Sequence, residues 1–221
     1  MYIAFDLWNT LAFSLPRDPI IDLINILKIK ISIKEVQDKI QTRCFYSDNP
    51  IFEICQHLNI NYIPETELYF TELLNNERLN FKLFPETLQV LKQVQKMGFK
   101  IILISNLWNF IIPTIDNQLL SLFEFDGVFL SCLLGFTKPN YLFFDYVKND
   151  LGIISEKIIV VGDSLEKDIL GGIKSQCHAI WLQRDISYNP KYVLNNFQQN
   201  KLFLGRITKL SDVLKILNQT Y

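Results

Sequence analysis

Four cysteines in 221 residues, Cys44, Cys55, Cys132 and Cys177, stand at irregular spacings, and no two form a C-x-x-C pair. That excludes the common zinc and dithiol redox motifs and predicts reduced, mostly buried thiols, hence a cytoplasmic protein. No apolar run approaches the ~20 residues that a membrane helix needs. The longest, such as Ile101-Ile102-Leu103-Ile104 and Ile158-Ile159-Val160-Val161, have the length of strands. No charged-then-apolar leader precedes the first strand, so no signal peptide is expected. An excess of charge of one sign is missing too: 22 Lys and Arg against 23 Asp and Glu leave a net charge of -1. With the basic residues scattered, nothing draws the chain to nucleic acid or to an anionic membrane surface. Glycine is scarce, at 8, and this bias carries no chemistry of its own. There is no internal repeat and no low-complexity segment. What is present in quantity is apolar material, 49% of the residues. That is enough for one large domain, or for a core domain with a smaller one inserted.

Met1-Tyr2-Ile3-Ala4-Phe5 is a short apolar run that ends at a carboxylate, Asp6, and a polar turn. A buried parallel strand delivering a side chain to its C-terminal edge has this layout. On this stretch alone, Asp6 is equally well a helix cap. From about Leu15 to Asn80 the pattern is helical and holds no convincing strand. Helix starts are marked at Asp18-Pro19, at the capping box Ser32 to Glu35, after Asn49-Pro50 and at Pro64-Glu65-Thr66. From Phe84 onward, helices alternate with strands. Strands are predicted at 100–105, 128–130, 158–161 and, as the last clear one, 178–182. Helices are predicted from Thr87 to Met97, at 115–122, 140–151 and 165–175, and from Ser211. Such alternation means a parallel sheet with helices on both faces.

Polar residues recur where these strands end. Asp6 and Thr10 follow the first, Ser105-Asn106 the second, and Gly162-Asp163-Ser164 with Asp168 a later one, while Lys138-Pro139 sits in a loop. In a parallel sheet these ends share one edge, so carboxylates, a hydroxyl and an ammonium can converge there. The combination resembles the haloacid dehalogenase superfamily of hydrolases over almost the whole chain. It is carried by Phe-Asp-Leu-x-x-Thr-Leu at 5 to 11, Ile-Ser-Asn at 104 to 106, Lys-Pro at 138 to 139 and Val-Gly-Asp-Ser with a later aspartate at 161 to 168. The resemblance implies an α/β fold: a Rossmann-like three-layer core with a parallel sheet, formed by residues 1–14 and 81–221, and a small helical cap domain at 15–80.

By the same resemblance, Asp6 is the expected nucleophile. Lys138 and Ser105 are the other catalytic groups, and Thr10, Ser105, Asn106 and Lys138 hold an anionic small-molecule substrate. Asp6, Asp163 and the carbonyl of Trp8 are implied ligands of Mg²⁺, and Asp168 orients Lys138 or a metal-bound water. In the cap, Arg43 is either an anion-holding arginine or an ordinary exposed one. One position departs from the phosphatase pattern: where those relatives carry an acid/base aspartate two residues after the nucleophile, this chain has Trp8, followed by Asn9 in place of glycine. A missing acid/base group costs about 10²–10⁴ in rate. Trp8 fits the dehalogenase branch, which carries an aromatic residue there, whereas Gly162-Asp163-Ser164 fits magnesium and phosphate. Three readings follow: a Mg²⁺-dependent phosphatase, possible only as a slow one without another proton source; a 2-haloacid dehalogenase-like hydrolase; and a binding protein that has lost turnover.

Overall fold

The computed structural model describes residues 1–14, 18–153, 157–185 and 200–220. In chain order the strands are β1 (Tyr2–Asp6), β2 (Ala12–Phe13), β3 (Lys82–Leu83), β4 (Lys100–Ser105), β5 (Gly127–Leu130), β6 (Ile158–Gly162), β7 (His178–Leu182) and β8 (Phe203–Ile207). Six of them form one sheet of order β5-β4-β1-β6-β7-β8, every neighbouring pair parallel. The chain steps from β1 outward to β4 and β5, then returns to the other side of β1 with β6. The order therefore reverses at β1, and the crevice at the C-terminal ends of β1, β4 and β6 is where such sheets bind ligands.

The apolar runs follow from burial on both faces. Ile101, Leu103, Ile159 and Val161 join one apolar cluster, while Ile102, Ile104, Ile158 and Val160 join another on the opposite face, as the two-residue period of a strand requires. The second cluster is closed by Phe143, Phe144 and Val147 of helix α8 (Tyr141–Leu151). The first is covered by α5 (Thr87–Lys96) and a terminal helix, Val213–Thr220, and runs on without a break into the helical segment.

That segment contains α1 (Pro19–Leu27), α2 (Ile33–Ile40), α3 (Pro50–Leu58) and α4 (Thr66–Asn80). Asp18, Ser32 and Asn49 cap the first three, each accepting from a backbone amide two or three residues on. Pro64 precedes α4 and its cap residue Glu65, so it does not occupy the first turn that the sequence suggests. At the two ends of the segment, β2 and β3 pair antiparallel, Ala12 opposite Leu83 and Phe13 opposite Lys82, which ties its entry to its exit.

The sequence reading differs from the structure elsewhere too. The sheet does not end at β7: β8 lies beyond it, an edge strand whose apolar pattern is broken by Gly205-Arg206. The helix expected at 115–122 begins earlier and is broken into a 3₁₀ turn at Asn109–Ile111, the short α6 (Ile112–Ile115) and a wide π turn at Asp116–Leu120. The helix after β6 likewise opens with a π turn, Leu165–Leu170, before α9 (Gly171–Lys174). Short α7 (Ser131–Leu134) completes the helices used below. No helix among the described residues is long and apolar enough to cross a membrane.

Candidate active site

Asp6 ends β1 and is buried. Its Oδ1 accepts from Lys138 Nζ at 2.6 Å, and the same ammonium donates to Asp168 Oδ1 at 2.6 Å and to the Ile104 carbonyl at 3.4 Å. Lys138 lies in the loop between α7 and α8, far from β1 in sequence. Asn106, just past β4, fixes that loop: its Oδ1 accepts from the Lys138 amide and its Nδ2 donates to the Lys138 carbonyl, each at 2.8 Å. The turn after β6 supplies the remaining acids. Asp163 Oδ2 accepts from Asn9 Nδ2 at 3.2 Å, and the Asp163 carbonyl accepts from Trp181 Nε1 at 2.8 Å. Asp168 Oδ2 accepts from the Ser164 amide at 3.0 Å. Gly162 leaves room for this: a Cβ there would stand 2.3 Å from Asp168 Cγ.

The electrostatics follow from crowding three acids around one buried cation. Burial pushes the Asp6 carboxyl up to about 8; Lys138 opposes this, while Asp168 and Asp163 add to it. Asp163 rises to about 6, mainly by burial and then by Asp168. Burial alone would lower the Lys138 ammonium, but Asp168 and Asp6 more than reverse it and hold Lys138 above its ordinary value. Asp6, Asp163 and Asp168 each offer an oxygen within 4.8 Å of the others. Hard carboxylate oxygens at this spacing fit a magnesium-like cation, which would relieve the repulsion that raises Asp6 and Asp163.

A cavity of about 300 Å³ opens over this cluster, lined on the sheet side by Asp6, Trp8, Asn106, Lys138, Asp163 and Asp168. Thr10 and Ser105 do not reach its lining. Both are fully buried, and their hydroxyls have no hydrogen-bond partner. Asn106 lines the cavity, and the Oδ1 and Nδ2 of its amide are engaged by the Lys138 backbone, which positions the lysine. Trp8 is a packed wall, its indole edge-on to Phe81 at 5.9 Å. Arg43 is turned elsewhere: Nη2 pairs with Glu53 at 3.2 Å, Nη1 meets His57 Nδ1 at 3.1 Å, and the guanidinium lies over Phe45.

Three further residues matter here to which the motifs assigned no role. Asn9 adopts φ 54°, the left-handed region that asparagine tolerates better than most residues, so it can serve where relatives use glycine. Arg184, two residues past β7, donates to the Asn9 and Thr10 carbonyls at 2.8 and 2.9 Å and pairs with Glu86, locking the turn after Asp6. The rule that strand ends carry function, applied to β7, points to it. Glu77 of α4 is 1% exposed, lines the cavity and accepts from Trp108 Nε1 at 2.8 Å; burial lifts its carboxyl to about 8. No motif marks it.

A sequence model of haloacid dehalogenase-like hydrolases matches residues 1–175. Among curated proteins, the chain is 31% identical over 96 residues to pyrimidine 5'-nucleotidase PynA of Streptococcus pneumoniae, covering 43% of this chain and 37% of that one. It is 27% identical over 139 residues to glyceraldehyde 3-phosphate phosphatase of Methanothermobacter thermautotrophicus, covering 61% and 58%. The matches thus span from about a third to under two thirds of those relatives' lengths. Two solved structures superpose over nearly all of both chains: a 2-haloacid dehalogenase from Pseudomonas syringae, with TM-score 0.66, 18% identity and 100% and 99% coverage, and a phosphatase from Thermococcus onnurineus, with TM-score 0.62, 21% identity and 98% and 97% coverage. At such identities these two show the shared fold, and the family match over most of the chain supplies the rest: the chain belongs to the haloacid dehalogenase-like hydrolases.

Proposed function

We propose that the chain hydrolyses a small phosphate monoester in a Mg²⁺-dependent reaction that passes through a phosphorylated Asp6. The observation that carries this reading is the buried Lys138 ammonium, held 2.6 Å from both Asp6 and Asp168 with Asp163 close by. Asp6 attacks phosphorus, the ester oxygen leaves with its electron pair, and water then cleaves the acyl phosphate to restore the carboxylate. Lys138 faces the charge that builds on the transferring oxygens. Ser105, next to the Asp6 partner Ile104 in the sheet register, and Thr10, in the turn after β1, are the hydroxyls we assign to those oxygens, an assignment that requires each to turn from its buried place toward the cavity. A buried hydroxyl left unpaired costs about 1–3 kcal/mol, which an arriving oxyanion would offset. Asp6, Asp163 and the Trp8 carbonyl would hold the cation, which neutralises repulsion between substrate and carboxylates. Residues 15–80, with α1 to α4, act as the cap that keeps water from the cleft, over a core of residues 1–14 and 81–221.

Trp8 supports a second reading. A halide needs no proton to leave, so carbon–halogen cleavage tolerates an aromatic residue at this position. The two separate by assay. Turnover of p-nitrophenyl phosphate with Mg²⁺, lost without the metal and in Asp6→Asn, is expected from the first. Chloride release from 2-chloropropionate in EDTA, without phosphatase activity, would replace it with the second. If neither reaction occurs while Mg²⁺ raises Tm, the site binds without turnover.

A further inference from the structure

The wall of the cavity facing the carboxylates is built from the helical segment and differs from them in character. It carries Asp18 at the start of α1, Gln41 at the end of α2 and Glu77 near the end of α4, with Trp108 beside Glu77. Among the described residues of this wall there is no cation; Lys138 and Lys167 lie on the sheet side. What the wall offers is two carboxyl groups and the side-chain amide of Gln41. The Gln41 side chain is in a residue only 7% exposed, and its carbonyl oxygen has no partner. Glu77 receives the Trp108 indole on Oε2, while the Asp18 oxygens take the Ile20 amide and the Gln37 amide group. A buried, unpaired carbonyl beside a carboxyl group is costly unless a donor arrives.

The charged groups near Glu77 are Asp18, which opposes its ionisation, and Arg78, which favours it but donates its hydrogen bonds to the Phe110 carbonyl. A second phosphate or carboxylate on the substrate would meet Asp18 and Glu77 without a partner. An ammonium would donate to the Gln41 carbonyl and to Glu77, whose ionised form its charge would favour, a charge-assisted contact in a dry wall. The cavity is about 300 Å³, at the small end for ligand sites, so the group that reaches this wall sits only a few atoms from phosphorus.

We propose that Glu77 and Gln41 select a small phosphate monoester whose leaving group ends in an amine. This rests on the phosphatase reading above and names the substrate class of that same site. The test compares kcat/KM for O-phosphoethanolamine, ethyl phosphate and phosphoglycolate, with p-nitrophenyl phosphate as the reference for phosphatase chemistry. The expected order is phosphoethanolamine over ethyl phosphate over phosphoglycolate, with ten-fold or more between the first and last. Glu77→Gln, which matches the shape of the protonated acid, and Gln41→Ala should each shrink the phosphoethanolamine-to-ethyl phosphate ratio toward one, chiefly through KM. A merely structural role for either residue would lower all substrates together and leave the ratio intact. If p-nitrophenyl phosphate is hydrolysed but phosphoglycolate equals or exceeds phosphoethanolamine, or the ratio survives both substitutions, this assignment is overturned while the phosphatase reading stands. If no phosphate ester is hydrolysed, both fall.

Discussion

Under the phosphatase reading, Trp8 is where a single side chain would set the reaction's limit. Its indole packs edge-on against Phe81 at the exit of the helical segment and also lines the cavity, so it seals the wall where an acid/base group would stand. Under the phosphatase reading, a poor leaving group then departs without a proton. Trp8→Asp puts a carboxyl two residues after Asp6, which general acid catalysis values at about 10²–10⁴ in rate. The gain should be large for ethyl phosphate and small for p-nitrophenyl phosphate, whose leaving group needs little protonation. The same change removes the aromatic partner of Phe81, so Tm should fall, with a loss of stability below the ~3–5 kcal/mol of a fully buried tryptophan, because Trp8 is only partly buried. A variant that folds, by circular dichroism, yet shows no gain on ethyl phosphate would count against a missing acid as the limit.

The turn after β6 concentrates the site's geometry in one element. Ser164 Oγ accepts from the Lys167 amide, its carbonyl accepts from the Asp168 and Ile169 amides, and the wide π turn that results carries Asp168 back over Gly162 toward Lys138. Gly162→Ala sets a methyl group 2.3 Å from Asp168 Cγ, so the carboxylate must move. Displacements on the order of 1 Å near a reacting centre can cost about 10² in rate. Hydrolysis of p-nitrophenyl phosphate should drop by that factor, with the variant still folded; a rate within about three-fold of the parent would sink this account of Asp168.

The sheet strands could be read because burial on both faces demands unbroken apolar runs, as in Ile101 to Ile104 and Ile158 to Val161. Helices α1 to α3 could be read because Asp18, Ser32 and Asn49 announce their starts. What escaped lacks a local signature. Strands β2 and β3 have two residues each, β8 is half-buried at an edge, and the π turn at Leu165–Leu170 carries Asp168 to Lys138, far away in sequence. The convergence of Asp6, Asp163 and Asp168 was legible from strand ends, and that of the loop residue Lys138 from the order of the motifs. Glu77 was not, since an acid in a mixed helix such as α4 reads as an exposed face until the Trp108 contact is seen.

At the scale of the whole molecule, the fold holds carboxyl groups where little water reaches them. Asp6 and Glu77 are both raised to about 8, chiefly by burial. The unfolded chain releases these protons near pH 4, whereas the folded chain keeps them until about pH 8. Between those values the folded state binds more protons, so stability is highest at the acid end and is lost as pH rises through the folded values. Each group contributes up to about 1.4 kcal/mol per pH unit across that window. His57, lowered by burial and Arg43, acts in the opposite sense only at and below its ordinary 6.5. Lys138 adds no opposing slope in this window, because it stays charged in both states. Urea unfolding in EDTA at pH 6.5 and 8.5 should therefore show a protein several kcal/mol less stable at the higher pH. Glu77→Gln should reduce the difference, because its amide has no proton to lose. Added Mg²⁺ should reduce it as well, since a cation beside Asp6 and Asp163 favours their ionised forms and binds only the folded state. Equal or greater stability at pH 8.5 in EDTA would mean that the buried acids are already ionised, and the charge balance drawn around Lys138 would have to be rebuilt.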